Sequence, residues 1–213
     1  MNEPETYNDR IKKKSHRHFI GGTTPELWHH IGKMQYHYLV SNGLEPHHKF
    51  LDVGCGSLRL GQWLIPMLNE GNYYGIDGTK KLIDLGIEKE MLFDVASLKK
   101  PKFAYNYDFD FNFIDKFDYA IAQSVFTHLT AAHINLCFKN LNQKMHPESK
   151  FYCTFFEGDG SSNPKIDSDP NRSWSYTFKA LEELALINNL KLTYIGDWQH
   201  PINQKLFLAT LDV

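Results

Sequence analysis

The chain has 213 residues, 42% hydrophobic and 14% aromatic, enough for one sizeable core with an appendage rather than two domains. Its formal charge of -2 and pI near 6.6 exclude the overall basic field that draws proteins to nucleic-acid phosphates or anionic membranes. No apolar run approaches the roughly 18 residues of a membrane span, and Met1 to Arg10 is polar, without the apolar core of a secretory signal, so a cytoplasmic protein is expected.

The first segment carries a basic cluster: Arg10, Lys12, Lys13, Lys14, His16, Arg17 and His18. It reads as a solvated arm, or as a hand for an anionic substrate if it folds over the mouth of a site. Thr24-Pro25 then supplies an N-cap and a first-turn proline, Leu27, Ile31, Met34 and Tyr38 repeat at helical spacing, and Gly43 stops the pattern, predicting a helix over 25–42. From Lys49 onward, short apolar runs alternate with helical segments, the signature of a parallel α/β sheet. Strands are predicted at about 49–54, 72–77, 102–107, 117–123, 150–157, 191–197 and 205–212, with helices at about 58–69, 79–92, 130–142 and 177–189. The fold class is therefore α/β, a doubly wound, seven-stranded, mostly parallel sheet with an antiparallel last strand and an N-terminal helical extension. The antiparallel ending follows from the short link Trp198 to Gln204, since a parallel return needs a dozen residues or more. Residues 1–48 read as an arm and helix capping the active site, and 49–213 as the main domain.

Gly158 to Ser175 is a long stretch rich in turn-forming residues directly after the fifth strand, and so a candidate lid over the ligand crevice. Cys55, Cys137 and Cys153 are an odd number without C-x-x-C spacing, which argues for small buried residues rather than a disulfide framework or a zinc site.

The chemistry concentrates in Asp52-Val53-Gly54-Cys55-Gly56-Ser57-Leu58-Arg59, between an apolar strand and a helix. Its glycines let the backbone turn tightly and bring N–H groups against a ligand. A dinucleotide site asks for glycine three residues beyond Gly56, where this chain has Arg59, which counts against NAD or FAD. The second strand, Tyr73-Tyr74-Gly75-Ile76-Asp77, ends in a carboxylate where an acid can accept both hydroxyls of a ribose; a helix N-cap is the alternative role for Asp77.

With these two motifs, LDVGCGSLRLG and YYGIDGT, the chain resembles the class I S-adenosylmethionine-dependent methyltransferases from about Phe50 to the C-terminus. The resemblance implies S-adenosylmethionine as cofactor and S-adenosylhomocysteine as product. It places Asp52, with the backbone of Gly54, Cys55 and Gly56, at the methionine end, directly or through water, with Arg59 beside them, and Asp77 and Gly78 at the ribose. The adenine amino group falls to Asp108, next to the apolar Phe109, although Asp110 could take that role or both could be surface carboxylates. Gln123 and Ser124 stand in the motif ending the fourth strand. That motif lacks the Asn/Asp-Pro-Pro-aromatic run of enzymes acting on nucleic-acid exocyclic amines or glutamine amides, and the paired-glutamate loop of protein arginine methyltransferases is absent.

Methyl transfer from a sulfonium asks for proximity and alignment, with a base when the nucleophile is a hydroxyl, and needs no metal. His128, at the end of the fourth strand, and His200, in the last turn, are the candidate bases, His128 first; a cap or packing histidine is the bland alternative for each. Acceptor recognition is assigned to segments outside the common fold: His18 in the arm, the helix 25–42, and Arg172, Trp174 and Tyr176 in the long loop. Aromatic faces with hydrogen-bonding neighbours suit a sugar or another polar small molecule. The expected activity is therefore methyl transfer to a hydroxyl of a glycan or small molecule, with nucleic acid disfavoured as partner and no oligomeric state specified. The alternatives are an RNA or protein methyltransferase, a non-catalytic relative of the fold, or another nucleotide-dependent enzyme.

Overall fold

The computed structural model describes residues 15–21, 24–92, 94–163, 167–169 and 172–212. Arg10, Lys12, Lys13 and Lys14 of the basic cluster lie outside them.

The chain opens with a short helix α1 (His16–Phe19) and the long α2 (Pro25–Ser41). Thr24 caps α2 by accepting a hydrogen bond from the Leu27 N–H at 3.2 Å, and Pro25 sits where its missing N–H costs nothing. The buried face of α2 is Trp28, Ile31, Gly32, Gln35 and Leu39, rotated by about one residue from the predicted line. That rotation turns Gln35 inward.

The sheet follows: β1 (Phe50–Val53), α3 (Gly61–Met67), β2 (Tyr73–Ile76), α4 (Lys80–Glu90), α5 (Val95–Lys99), β3 (Lys102–Ala104) and β4 (Tyr119–Ala122). A 3-10 turn (Phe126–His128), α6 (Ala131–Asn142), β5 (Lys150–Glu157), β6 (Ser175–Tyr176), α7 (Phe178–Ile187), β7 (Leu190–Asp197) and β8 (Lys205–Leu211) complete it. The strand order is β3-β2-β1-β4-β5-β8-β7, with β6 pairing β5 off this path. β8 runs antiparallel to both β5 and β7, whereas the other recorded pairings are parallel.

Three departures from the predicted elements have local causes. α3 starts later than expected because Leu58 takes a left-handed backbone, φ 61°. β3 stops at Ala104 because the Asn106 side chain bridges to Asp110, accepting its N–H at 3.0 Å and donating to its carbonyl at 3.1 Å. The long segment after β5 returns to the sheet as β6, an eighth strand too short to leave a periodic signal.

Alternate strand residues feed two cores. Leu51, Val53, Ala120, Ala122, Phe151 and Cys153 pack with α6 and α7, while Phe50, Tyr73, Tyr119 and Ile121 pack with α2, α3 and α4. Parity puts Asp52 on the second face, against α2 and α3. β1 and β4 are neighbours although β2 and β3 intervene in sequence, so the chain reverses direction across the sheet there. Such a switch point opens a crevice at the carboxyl ends of the strands. Among the described residues, no helix is long and apolar enough to cross a membrane.

Candidate active site

A cavity of about 430 Å³ occupies that crevice, within the range of small-molecule sites. Its walls include Asp52, Gly54, Cys55, Gly56, Arg59, Asp77, Gly78, Phe109, Gln123, Ser124 and His128. The crevice thus brings together eleven residues singled out from the sequence, from the ends of β1, β2 and β4 and the loop after β3. His18, Asp108, Arg172, Trp174, Tyr176 and His200 do not line it.

The glycine turn is tightly packed. Gly54 (φ 71°) and Gly56 (φ 52°) adopt left-handed backbone, and a Cβ would approach Val125 to 2.4 Å at Gly54 and Ile20 to 2.9 Å at Gly56. The N–H groups of Gly54 and Cys55 donate to the Ile76 carbonyl at 2.8 and 3.0 Å, tying the turn to the end of β2. There the Asp77 carboxylate accepts from the N–H groups of Gly56 (3.1 Å) and Thr79 (2.8 Å). Burial raises its pKa, and these two donors oppose the shift. A carboxylate has about four lone-pair sites, so capacity for ligand hydroxyls remains. Asp52 accepts from the Tyr73 hydroxyl at 2.6 Å. Burial lifts its pKa from 3.8 to about 7, against the pull of that hydroxyl and of Arg59.

Arg59 is 8% exposed, its guanidinium 5.8 Å from the centre of the Trp28 ring. It donates to the Ile20 carbonyl at 3.3 Å and to Oε1 of Gln123. Burial lowers its pKa from 12.5 to about 10, which leaves it cationic at neutral pH. Ile20 and Gly21 complete the wall above the turn. Their segment is clasped by Glu90, which accepts from Arg17 at 2.6 and 2.7 Å and contacts His16 at 2.6 Å.

The β4 side is held by amides. Gln123 extends its NH₂ towards His200 Nε2 at 3.1 Å and Gln204 Oε1 at 3.3 Å; Gln204 in turn accepts from Thr154 at 2.7 Å. His200 is 5% exposed and stacked on Trp198, with its ring nitrogen turned to that amide and its pKa lowered by burial to about 4. His128 differs. Its Nδ1 meets the Arg172 carbonyl, and because a carbonyl only accepts, Nδ1 carries the proton and Nε2 of the neutral ring is a proton acceptor. Burial lowers its pKa, against the opposing effects of that hydrogen bond and of Asp169.

The remaining sequence candidates brace the segment after β5 or face solvent. The Tyr176 hydroxyl donates to the Leu129 carbonyl at 2.7 Å, and the backbone N–H of Trp174 donates to the Thr127 carbonyl at 2.7 Å. The Arg172 side chain is 72% exposed, 3.6 Å from Asp169. His18 and Asp108 are exposed. After β3, Asn106, Tyr107 and Phe109 line the cavity, and Tyr107 hydrogen-bonds Thr79 at 3.0 Å. Gln35, Tyr107 and Gln204 were not singled out from the sequence. A polar residue seven positions after Trp28 on the buried face of α2 was the available signal for Gln35; the other two carried none.

A glycine turn on a switch-point crevice, with a carboxylate at the end of the neighbouring strand, fits a nucleoside-type cofactor site, and the donor set suits S-adenosylmethionine: a packed turn, a carboxylate at Asp77 and a buried cation at Arg59. Residues 51–151 match the family model of a methyltransferase domain. The fold is similar to magnesium protoporphyrin IX methyltransferase from Synechocystis PCC 6803 with bound S-adenosylhomocysteine (TM-score 0.70, 16% identity, 96% of either chain covered). It is also similar to an S-adenosylmethionine-dependent methyltransferase from Clostridium acetobutylicum (TM-score 0.65, 12% identity, 98% of this chain and 100% of that one). A glycopeptide N-methyltransferase complexed with S-adenosylmethionine shares the fold too (TM-score 0.66, 10% identity, 84% and 94% covered). The methyltransferase-domain match over residues 51–151 and the shared fold are consistent with a class I S-adenosylmethionine-dependent methyltransferase, for which S-adenosylmethionine is the implied cofactor.

Proposed function

We propose that the chain transfers a methyl group to a hydroxyl of a polar small molecule or glycan, with His128 as the base. When bound, S-adenosylmethionine supplies an electrophilic methyl on a sulfonium, a good leaving group. The observation that carries the reading is the geometry of His128: a cavity-lining imidazole whose Nδ1 is committed to the Arg172 carbonyl, leaving Nε2 to take the hydroxyl proton. Its lowered pKa keeps the ring neutral at pH 7, the form a base requires. His200 is the weaker candidate, because Gln123 occupies its ring nitrogen.

Asp77 accepts the ribose hydroxyls, Asn106 and Phe109 receive the adenine, and the glycine turn with Asp52 holds the methionine end. Val125, Leu129, Phe156 and Ile202, which also line the cavity, exclude water around the acceptor. Arg172, beside the lining residue Ser173, is an exposed cation of that segment, available for contacts outside the cavity.

A labelled-methyl screen against sugars, hydroxylated metabolites, RNA and peptides tests the acceptor class. Label in a sugar or metabolite ether is expected, and label only in RNA or peptide overturns it.

A further inference from the structure

Gln35 lies on α2, outside the methyltransferase core, and is 2% exposed, yet it lines the cavity. Its Nε2 donates to Oε1 of Gln123 at 2.6 Å. The same oxygen accepts from Arg59, and a guanidinium cannot accept, so the Gln123 amide can point only one way. Gln35 Oε1 is therefore left as a buried acceptor with no partner. Leaving such a group unsatisfied is costly, and the cost is relieved when a ligand supplies the donor.

Arg59 stands on the other side of the shared Gln123 oxygen. Its guanidinium has five N–H donors, of which the Ile20 carbonyl and Gln123 engage two, and among the described residues it forms no ion pair with a carboxylate within 4 Å. A buried cation with no carboxylate in ion-pair contact among the described residues, Asp52 acting on it only at longer range, and a buried acceptor without a donor, both fixed to one amide beside the glycine turn, are complementary to a zwitterion: carboxylate on one side, ammonium on the other.

We infer that Gln35 and Arg59 together read the α-amino-acid head of the cofactor, Gln35 Oε1 accepting from the ammonium and Arg59 pairing with the carboxylate, with Gln123 as the positioning residue that spaces them. This rests on the S-adenosylmethionine assignment and adds to it a ligand from the N-terminal helix. That helix thereby becomes part of the cofactor site rather than only a cap on it.

Calorimetric titration of the full chain separates the possibilities, with S-adenosylhomocysteine, 5′-methylthioadenosine (no amino-acid head) and decarboxylated S-adenosylmethionine (amine kept, carboxylate absent) as probes. Gln35→Leu should weaken S-adenosylhomocysteine about ten- to a hundredfold, the worth of a hydrogen bond to a charged group. It should weaken the decarboxylated probe by a similar factor and leave methylthioadenosine within about twofold. Arg59→Met should weaken S-adenosylhomocysteine while changing the decarboxylated probe little. Unchanged S-adenosylhomocysteine affinity in Gln35→Leu overturns the inference, as does an equal loss for methylthioadenosine, which marks a structural role. Failure of the unsubstituted protein to bind S-adenosylhomocysteine would instead sink the cofactor assignment itself.

Discussion

The two sides of the cavity are built differently. On the β1–β2 side the polar groups are fixed largely by main chain close in sequence: Asp77 by the N–H groups of Gly56 and Thr79, and the turn by the Ile76 carbonyl. On the β4–β5 side they are fixed by side chains distant in sequence: Gln123 meets Gln35 and His200 across 88 and 77 positions, and Gln204 meets Thr154 across 50. The first side is set by local geometry and by the pairing of two neighbouring strands. The second exists only once α2, β4, β5 and the β7–β8 hairpin have assembled. Substitutions on the first side should therefore act on the cofactor alone, whereas those on the second should act on catalysis or on several groups at once.

His128→Ala probes that division with the largest effect. The turnover number should fall about 100- to 10,000-fold, the usual contribution of a general base, while S-adenosylhomocysteine affinity stays unchanged. The rate with the unsubstituted enzyme should lose activity on the acid side only below the ordinary histidine value of 6.5, because burial lowers the His128 pKa. Full turnover in His128→Ala at saturating cofactor removes the base from the proposal.

Asp77→Ala gives the converse split. It removes the proposed ribose acceptor and leaves the Gly56 and Thr79 N–H groups without their partner, so S-adenosylhomocysteine should bind about ten- to a hundredfold more weakly. A titration showing less than threefold loss would leave Asp77 as a helix cap only.

The same contrast explains what the sequence could carry. Asp52, the glycines and Asp77 are legible because a short strand, a tight turn and a carboxylate at the next strand end form a local pattern, and strand alternation points their side chains. Seven strands and the antiparallel hairpin followed from periodicity and link length. Gln35 was hidden because the apolar line of α2 reads almost equally well at Leu27-Ile31-Met34-Tyr38 and one residue on, and only packing against α3 and the sheet selects the face. Asp108 drew attention as an acid beside Phe109. The Asn106–Asp110 bridge turns the chain so that Tyr107 and Phe109 line the cavity while Asp108 faces solvent.

The arm offers a smaller test. Its described part, residues 15–21, is clasped through Arg17 and His16 to Glu90, whose side chain is 1% exposed, and it sets Ile20 against Gly56. Glu90→Gln neutralises the anchor of a half-buried charge pair worth on the order of 1–2 kcal/mol. Release of S-adenosylhomocysteine, followed by stopped-flow tryptophan fluorescence with Trp28 beside Arg17 as reporter, should quicken about tenfold, with turnover-limiting chemistry unaltered. An unchanged release rate would mean that the clasp at Glu90 does not govern cofactor release.

The smallest effect is a tilt in stability with pH that sets the two sides against each other. Asp52, on the β1 side, has its folded pKa raised from 3.8 to about 7, so between those values the folded state holds a proton the unfolded chain has lost, and stability falls as pH rises. His200, on the β4 side, has its folded pKa lowered from 6.5 to about 4, so in that window the unfolded chain holds the extra proton and stability rises with pH. The two contributions oppose each other between about pH 4 and 6.5, and denaturation midpoints without cofactor should change little across that range. Asp52→Asn should remove the falling contribution and leave stability climbing with pH, while His200→Asn should leave it descending. Parallel curves for the two variants would show that neither group is held in the protonation state its burial imposes.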